Sequence, residues 1–567
     1  MSTSLLLGCS ASTSDPGASS KHEPVEMRDP ASGSTMAALR NAPRIRVCSE
    51  DELLGHVPNR RQIEANRRAP TPTISYAYGT EREIWGFDAT VRVDRDGRVV
   101  CHSGKDGFDR PQALTPERNA ALASLRYDPF LRDGASVSAI VSEAIREQEL
   151  PESYRPLPNA PLGEVGITLQ RTGCYGTCPS YTVDVRGDGL VNYRGDGYVD
   201  ITGVHRYRIP PADVARLVDS LRKKDLWSLR PAYHAGITDN PTYQLTLKLG
   251  DQVHRIVDYV GERVGMPHVV SEFEDEVDKV SGAEGFVHLS EDAVERLQRE
   301  GFRFDSKEGA ELLARATANE ESRDNKAIVR LVELGAPIAA SPQARTEGWL
   351  ARGTLLEEAL QNRRRKLVDL LIAEGALETN GKPDQAKLDA AFRAAIQGGS
   401  LDLVQTLWRA GEPDLRPALY FDNESDEAQG VRQRSPVTLL LSHYGSDEDE
   451  TWDGMQIAAW LASRGCDLKA AGADGKTLLH IAAKADDAEF VHYLLSQGFD
   501  ASTLGEYDLP ALGSTSNEDV AMLLLEAGTD LSKMDDQSGE FLRYARSNHW
   551  QRVVEWLRKH PSRTTSK

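Results

Sequence analysis

Seven short segments with one grammar dominate the second half of the chain. They read VERLQREGF, VRLVELGAP, VDLLIAEGA, VQTLWRAGE, AAWLASRGC, VHYLLSQGF and AMLLLEAGT. Apolar residues recur in them at helical spacing, and each closes on a glycine. Those glycines are Gly301, Gly335, Gly375, Gly411, Gly465, Gly498 and Gly528, separated by 34, 40, 36, 54, 33 and 30 residues. A glycine just past a helix suits the left-handed backbone that ends it, because glycine enters that region without steric cost. A helix ending that recurs near a fixed period marks units too small to bury their own apolar faces. Such units must stack, so residues 286–562 are expected to form a helical array.

The clearest unit is DGKTLLHIAAKADDAEFVHYLLSQGFD, Asp474 to Asp500. It resembles the ankyrin repeat, with Leu478 where that family usually has proline. Gly475, Thr477, His480, Ala482, Ala483 and Gly498 fall on the repeat's own positions. The resemblance implies that His480 orders the turn through a hydrogen bond. The 54-residue gap contains FDNESDEAQGVRQR and SDEDETWDG, polar insertions expected to loop out of the stack. The last segment, GEFLRYARSNHWQRVVEWLRKH, sets charged residues where a further repeat would dock, as a capping repeat should. An ankyrin array implies a concave surface for a protein partner. The acidic run Asp447 to Glu450 could steer a basic one, or simply keep the array soluble.

At 567 residues the chain is too long for one core. Within residues 158–285, GEVGITLQRTG, YTVDVRGDG, LVNYRGDG and YVDITGVHRYRI read as strands, with hairpin turns at Asp188-Gly189 and Asp196-Gly197. A calcium loop would need several more oxygen ligands than these pairs offer. An amphipathic helix follows with Val214, Leu217, Val218 and Leu221 on one face. A hairpin about Gly250-Asp251 comes next, and then a helix carrying Val270, Phe273, Val277 and Val280.

Cys174 and Cys178 flank Tyr175-Gly176-Thr177 in the same segment. Two thiols that close admit a metal clip, a redox pair or a local disulfide. A metal would need two more ligands, from somewhere like His205 or His234. A thioredoxin-type pair has two intervening residues and precedes a helix, whereas here three intervene and a strand follows. The pattern RTGCYGTCPSYTVDVRGDGLVNYRGDG resembles a bacterial domain family of unknown function found ahead of ankyrin repeats. That resemblance implies a fold and a context, and no reaction.

Residues 46–157 read as a separate small α+β domain. GFDATVRVDRDGRVVCH alternates about Asp96-Gly97 as a hairpin, and Thr115-Pro116-Glu117 opens a helix. A turn at Asp133-Gly134 leads into another strand. This order resembles the carboxy-terminal domain of TonB-type energy transducers, without that family's membrane helix and Pro-rich spacer, so energy transduction is not implied. Cys48, in RIRVC, and Cys101 are a candidate disulfide in an exported protein, and small buried hydrophobes otherwise.

The start, MSTSLLLGCSAS, places Leu6-Leu7-Gly8 before Cys9 and resembles a bacterial lipobox, which implies lipidation at Cys9 after residues 1–9 serve as a signal. The apolar run is short and lacks a preceding Lys or Arg, as it would if the true start lay upstream of Met1. Residues 10–45, rich in Ser, Ala, Pro and Gly, suit a disordered tether. Ser10 fits outer-membrane sorting, so the expected location is the envelope, facing the periplasm, with the cytoplasm as the alternative. An oxidising compartment favours the local disulfide between Cys174 and Cys178.

A net charge of -20 with no basic stripe argues against nucleic acid. No run of about eighteen apolar residues is present, so a membrane is met only through the lipid. No G-x-S-x-G, H-E-x-x-H, Walker or dinucleotide loop occurs, so no catalytic residue, metal or cofactor is nominated. The expectation is a multidomain chain of two small α+β domains and an all-α ankyrin-repeat solenoid. Its expected function is that of a non-enzymatic, envelope-anchored scaffold that binds protein. The alternatives are a periplasmic inhibitor or immunity-type protein, and an enzyme of unrecognised class in residues 158–285.

Overall fold

The computed structural model describes residues 44–560 apart from 80–86, 106–113, 323, 339–352, 417, 421–431, 443–451, 473–474 and 535–539. Cys9, the tether through residue 43 and the acidic run at 447–450 lie outside the described residues.

The first unit contains β1 (Arg46–Val47), α1 (Arg60–Asn66), β2 (Ile74–Tyr76), β3 (Phe87–Val93), β4 (Val99–His102), α2 (Pro116–Ser124), β5 (Phe130–Arg132), β6 (Ala135–Val137), β7 (Ala139–Ile145) and β8 (Glu147–Glu149). Its main sheet runs β1-β4-β3-β7. β3 turns Phe87, Ala89, Val91 and Val93 inward at the two-residue period of a strand, into a core shared with Ala121 and Leu122 of α2. Thr115 starts α2 by accepting a hydrogen bond from the Arg118 amide. A disulfide between Cys48 and Cys101 ties the end of β1 to β4.

In the second unit, β9 (Val165–Arg171), β10 (Ser180–Arg186), β11 (Leu190–Gly197), β12 (Gly203–Arg208), β13 (Ala232–His234), β14 (Tyr243–Leu249) and β15 (Gln252–Tyr259) form one sheet. Its order is β12-β11-β10-β9-β14-β15-β13, antiparallel except where β13 runs beside β15. Asp188-Gly189 is the turn between β10 and β11. Asp196-Gly197 is not a turn: β11 runs through it, with Gly195 opposite both Tyr181 and Gly203 and Gly197 opposite Ser180. Pairing of Gly197 with Ser180 across a register shift carries β11 past the local turn preference. The chain reverses instead over residues 198–202, where Tyr198 takes φ 52°. YVDITGVHRYRI is therefore a buried loop followed by β12, not one strand.

α3 (Pro211–Lys223) packs beside α4 (Val269–Ser281), which lies over β10. α3 buries Val214, Leu217 and Leu221, and α4 buries Val270, Phe273 and Val277. Each such side chain contributes roughly 1.5–3 kcal/mol on removal from water. Val218 and Val280 are only half-buried.

The helical half begins with α5 (Glu284–Val287), which straddles residues 285 and 286, and the apolar core continues from the second sheet into the helices without a break. There follow α6 (Glu291–Arg299), α7 (Lys307–Ala318), α8 (Asn325–Glu333), α9 (Leu355–Gln361), α10 (Arg365–Ala373), α11 (Gln385–Gly398), α12 (Leu401–Ala410), α13 (Gly454–Ser463), α14 (Leu478–Lys484), α15 (Ala488–Ser496), α16 (Glu518–Glu526), α17 (Glu540–Ser547) and α18 (Gln551–Lys559). The helices that end on the repeating glycines neighbour one another in chain order, α10 and α12 meeting through the Arg365–Thr406 hydrogen bond at 3.1 Å, and α7, α9 and α11 form a second row. Further along that row, two positions are held by 3₁₀ turns, Pro436–Ser442 and Ala511–Gly513.

Six of the seven closing glycines take the expected positive φ, from 77° to 97°. Gly411 does not; it is fully extended, at φ 178°. There the glycine serves close packing, since a Cβ would stand 2.6 Å from Leu388 Cδ2. The long gap is rooted in a hairpin of Ala418–Tyr420 with Arg432–Arg434, and Trp452 returns the chain to the core.

Candidate functional site

β9 ends at Arg171 and β10 begins at Ser180, so the segment between them must turn in eight residues. Cys174 and Cys178 are joined in a disulfide, with Cα atoms 5.5 Å apart. The loop is pinned from the side: the Tyr175 amide donates to the Asp239 carbonyl at 3.2 Å, and Thr172 and Thr242 exchange bonds at 3.0 and 2.9 Å. These ties present the Tyr175 ring almost wholly to solvent, at 90% exposure. His205 and His234 serve other ends. His205 bonds Glu300 at 3.1 Å and the Thr202 carbonyl at 3.0 Å, while His234 stacks on Tyr259 at 4.5 Å. Among the described residues no group of three or more His, Cys, Asp or Glu is arranged to hold a metal ion.

Beneath that loop lies a cluster of charge that sequence reasoning missed. Arg171 donates through Nε to Asp278 Oδ2 at 2.9 Å, reaches Asp275 at 3.2 Å and covers the Tyr243 ring at 4.2 Å. Burial works most strongly against its charge, and Asp278, Tyr181, Glu274 and Tyr243 together outweigh it, so the guanidinium is held charged. Glu274 lies one helical turn before Asp278 on α4 and is 1% exposed. Burial pushes the Glu274 carboxyl well above its usual range, against the pull of Arg171. Asp278 is pushed up by burial in the same way, and Asp258 is raised to about 6 although it accepts the Gly261 amide at 2.6 Å. One enclosed guanidinium thus faces three enclosed carboxyl groups, each of which burial shifts toward its protonated form. The available signal was the i,i+4 pair of acids set among Val270, Phe273 and Val277.

The reversal at residues 198–202 delivers Asp200 to the junction with the helices. Its backbone amide donates to the Val287 carbonyl at 3.0 Å, and its carbonyl accepts from Arg315 Nε at 2.9 Å. Its carboxylate accepts from the Leu289 amide at 2.7 Å, from Asn319 Nδ2 at 2.9 Å and from the Ser322 hydroxyl. Burial pushes this carboxyl up, and those three donors oppose the shift. Arg364, 4% exposed, braces the same corner by donating to the Ser322 and Asn319 carbonyls, each at 2.6 Å.

Around α14, Thr477 and His480 cap the helix together. The Thr477 amide donates to His480 Nδ1 at 3.2 Å, while Nε2 lies 3.3 Å from the Leu509 carbonyl of the next loop. Ala482 and Ala483 are fully buried, and Gly475 and Gly498 take φ 78° and 77°. Beyond Gly505 the loop exposes Tyr507, 84% accessible. A cleft of about 490 Å³ lies elsewhere, on α6 and α8, lined mainly by Glu291, Asp292, Glu295, Gln298, Arg299 and Arg330.

Comparison with known proteins identifies two parts of this architecture. Residues 165–281 match the family described as "Domain of unknown function (DUF6438)", and residues 474–504 match the ankyrin repeat. The chain carries a DUF6438 domain and an ankyrin repeat. Two solved structures are similar in the helical half. The human ASB11 ankyrin repeat domain is 19% identical with a TM-score of 0.25, covering 39% of this chain and 84% of that one. The ankyrin repeat domain of Bcl-3 is 20% identical with a TM-score of 0.23, covering 44% and 96%. No curated protein matches the chain. The disulfide loop, the Arg171 cluster and Asp200 all belong to the DUF6438 domain, whereas His480 belongs to the ankyrin repeat, a unit that implies protein–protein interaction, and Tyr507 follows it by three residues.

Proposed function

We propose that the chain is a non-enzymatic scaffold that binds a protein partner through its ankyrin solenoid, from the bacterial envelope, held by a lipid on Cys9. The observation that carries the binding reading is Tyr507, a large aromatic left 84% exposed in the loop after the matched repeat. An exposed Tyr gives wide contact area with only two side-chain torsions to fix, which is why such residues concentrate in binding hot spots. The polar groups buried within the array, His480 and Arg364 among them, are committed to structural hydrogen bonds. The envelope reading is supported by the LLGC motif at Cys9 and by the Cys48–Cys101 and Cys174–Cys178 disulfides, bonds that persist in oxidising compartments.

The test uses the full chain immobilised against envelope extract, as wild type and as Tyr507→Ser. A protein retained by the wild type and weakened about tenfold or more by the substitution is the expected outcome. Equal retention by both chains, or none by either, would sink the binding reading. Intact mass of the membrane fraction addresses the anchor separately, since an acyl mass on Cys9 is expected and an unmodified Cys9 removes it.

A further inference from the structure

The helix pair α17 and α18 is covered on its outer side by residues from the opposite end of the described chain. The Gly55 amide donates to the His549 carbonyl at 3.1 Å, Arg558 pairs with Asp51 at 2.6 Å and Arg546 pairs with Glu50. These contacts span 507 and 496 residues of sequence. Leu54, 8% exposed, belongs to the apolar core that the second sheet and the helices share rather than to that of its own unit. The contacting segment is a 3₁₀ turn, Glu50–Leu53, with three acids in succession, Glu50, Asp51 and Glu52.

That turn is firmly held by the first unit. The Cys48–Cys101 disulfide precedes it, the Cys48 amide donates to the His102 carbonyl at 2.8 Å, and Arg92 of β3 donates to the Glu52 carbonyl. At its other end the same unit grips the DUF6438 domain. The Glu149 amide donates to the Gly265 carbonyl at 2.8 Å, and the nearly buried Glu149 carboxylate pairs with Arg230 at 3.2 Å. The DUF6438 domain in turn is locked to the start of the array through Asp200.

We propose that the first unit is the array's carboxy-terminal cap, and that residues 50–55 are a clasp closing the chain into a ring. A solenoid needs its last apolar face covered, and a capping repeat with a polar outer face is the common solution. Here α17 and α18 present Arg546 and Arg558, and a distant acidic turn covers them with Leu54 set beside it. The ion pairs are largely exposed, so each is weak and screened by salt. Closure therefore depends on Leu54 and the Gly55 bond as well as on charge. An array held at both ends keeps a fixed curvature, and this would pre-form its partner surface.

Amide exchange on the full-length chain at low salt tests the clasp, read at residues 540–559. Glu50→Lys with Asp51→Lys should speed exchange there about fivefold to tenfold, the range expected for losing two exposed pairs and the docking they support. Adding Arg546→Glu and Arg558→Glu to that chain should restore slow exchange. Leu54→Ala, with every charge kept, should also speed it. Unchanged exchange in both the lysine chain and the Leu54→Ala chain would overturn the clasp, as would failure of the reversed pairs to restore it.

Discussion

Asp200 and Asn319 share a hydrogen bond of 2.9 Å across 119 residues of sequence, with both side chains wholly buried. The DUF6438 domain and the helical half therefore meet through a polar knot inside one apolar core. Truncating Asp200 to Ala strands the Leu289 amide, the Asn319 amide and the Ser322 hydroxyl without water to replace their acceptor. A buried polar group left unpaired costs about 1–3 kcal/mol, so the loss should reach roughly 3 kcal/mol or more. Denaturant unfolding of the full chain should show the whole transition weakened, in the helical half as well as in the sheet. A wild-type midpoint for Asp200→Ala would mean that the junction contributes nothing.

The enclosed acids of the DUF6438 domain set a pH dependence of definite sign. Asp258 is raised from 3.8 to about 6, chiefly by burial, and Glu274 is raised well above 4.5 for the same reason. A carboxyl whose pKa is higher in the folded state favours folding while protonated, so its contribution is present in acid and is lost as pH rises through the folded value. For Asp258 that window is pH 4 to 6. Glu274→Gln removes the cost of a buried charge while keeping the shape. The Gln chain should melt above wild type at pH 8, with the gap closing toward pH 4. A gap that stayed constant over that range would assign the effect to packing.

The two disulfides should differ in weight. Closing a loop of 4 residues, as Cys174–Cys178 does, removes little chain entropy, about 2 kcal/mol. Cys48–Cys101 closes 53 residues and should contribute about 4 kcal/mol on the same estimate. Cys174→Ser with Cys178→Ser should therefore lower stability modestly and leave the sheet intact. Cys48→Ser with Cys101→Ser should lower it more, and should also loosen residues 50–55. Equal losses for the two pairs would show that chain entropy does not govern either bond.

What could be read from the chain was whatever its neighbours in sequence decide. Six of the seven repeat endings, the Thr115 cap and the β3–β4 hairpin rest on residues within a few positions of each other, and they stand where the pattern placed them. Asp196-Gly197 departs from its expected turn because that preference is local, whereas the ladder that overrides it comes from β10. Gly411 was misread because its reason lies at Leu388, on another helix. Asp200 gave no signal at all: its donors come from 89 to 122 residues away. Glu274 and Asp278 left a faint one, two acids on a helix face that was otherwise apolar.

His480 and Gly505 are fitted to each other, which gives a prediction about their coupling. The imidazole bridges the Thr477 cap to the Leu509 carbonyl, and a Cβ placed on Gly505 would stand 2.6 Å from its Nε2. Gly505 has φ -121°, outside the left-handed region, and the nearest atoms an added Cβ would meet are those of the His480 ring. Gly505→Ala should cost about 1–3 kcal/mol by displacing the imidazole. His480→Ala should cost about 2 kcal/mol through the lost bonds and the space left behind. In the His480→Ala background the ring is gone, so Gly505→Ala should cost little, and the double mutant should be more stable than the sum of the single losses by about 1–2 kcal/mol. Urea melts of the four chains measure this directly. Strict additivity would mean that the loop relaxes away from the ring, and that the close approach does not fix the turn.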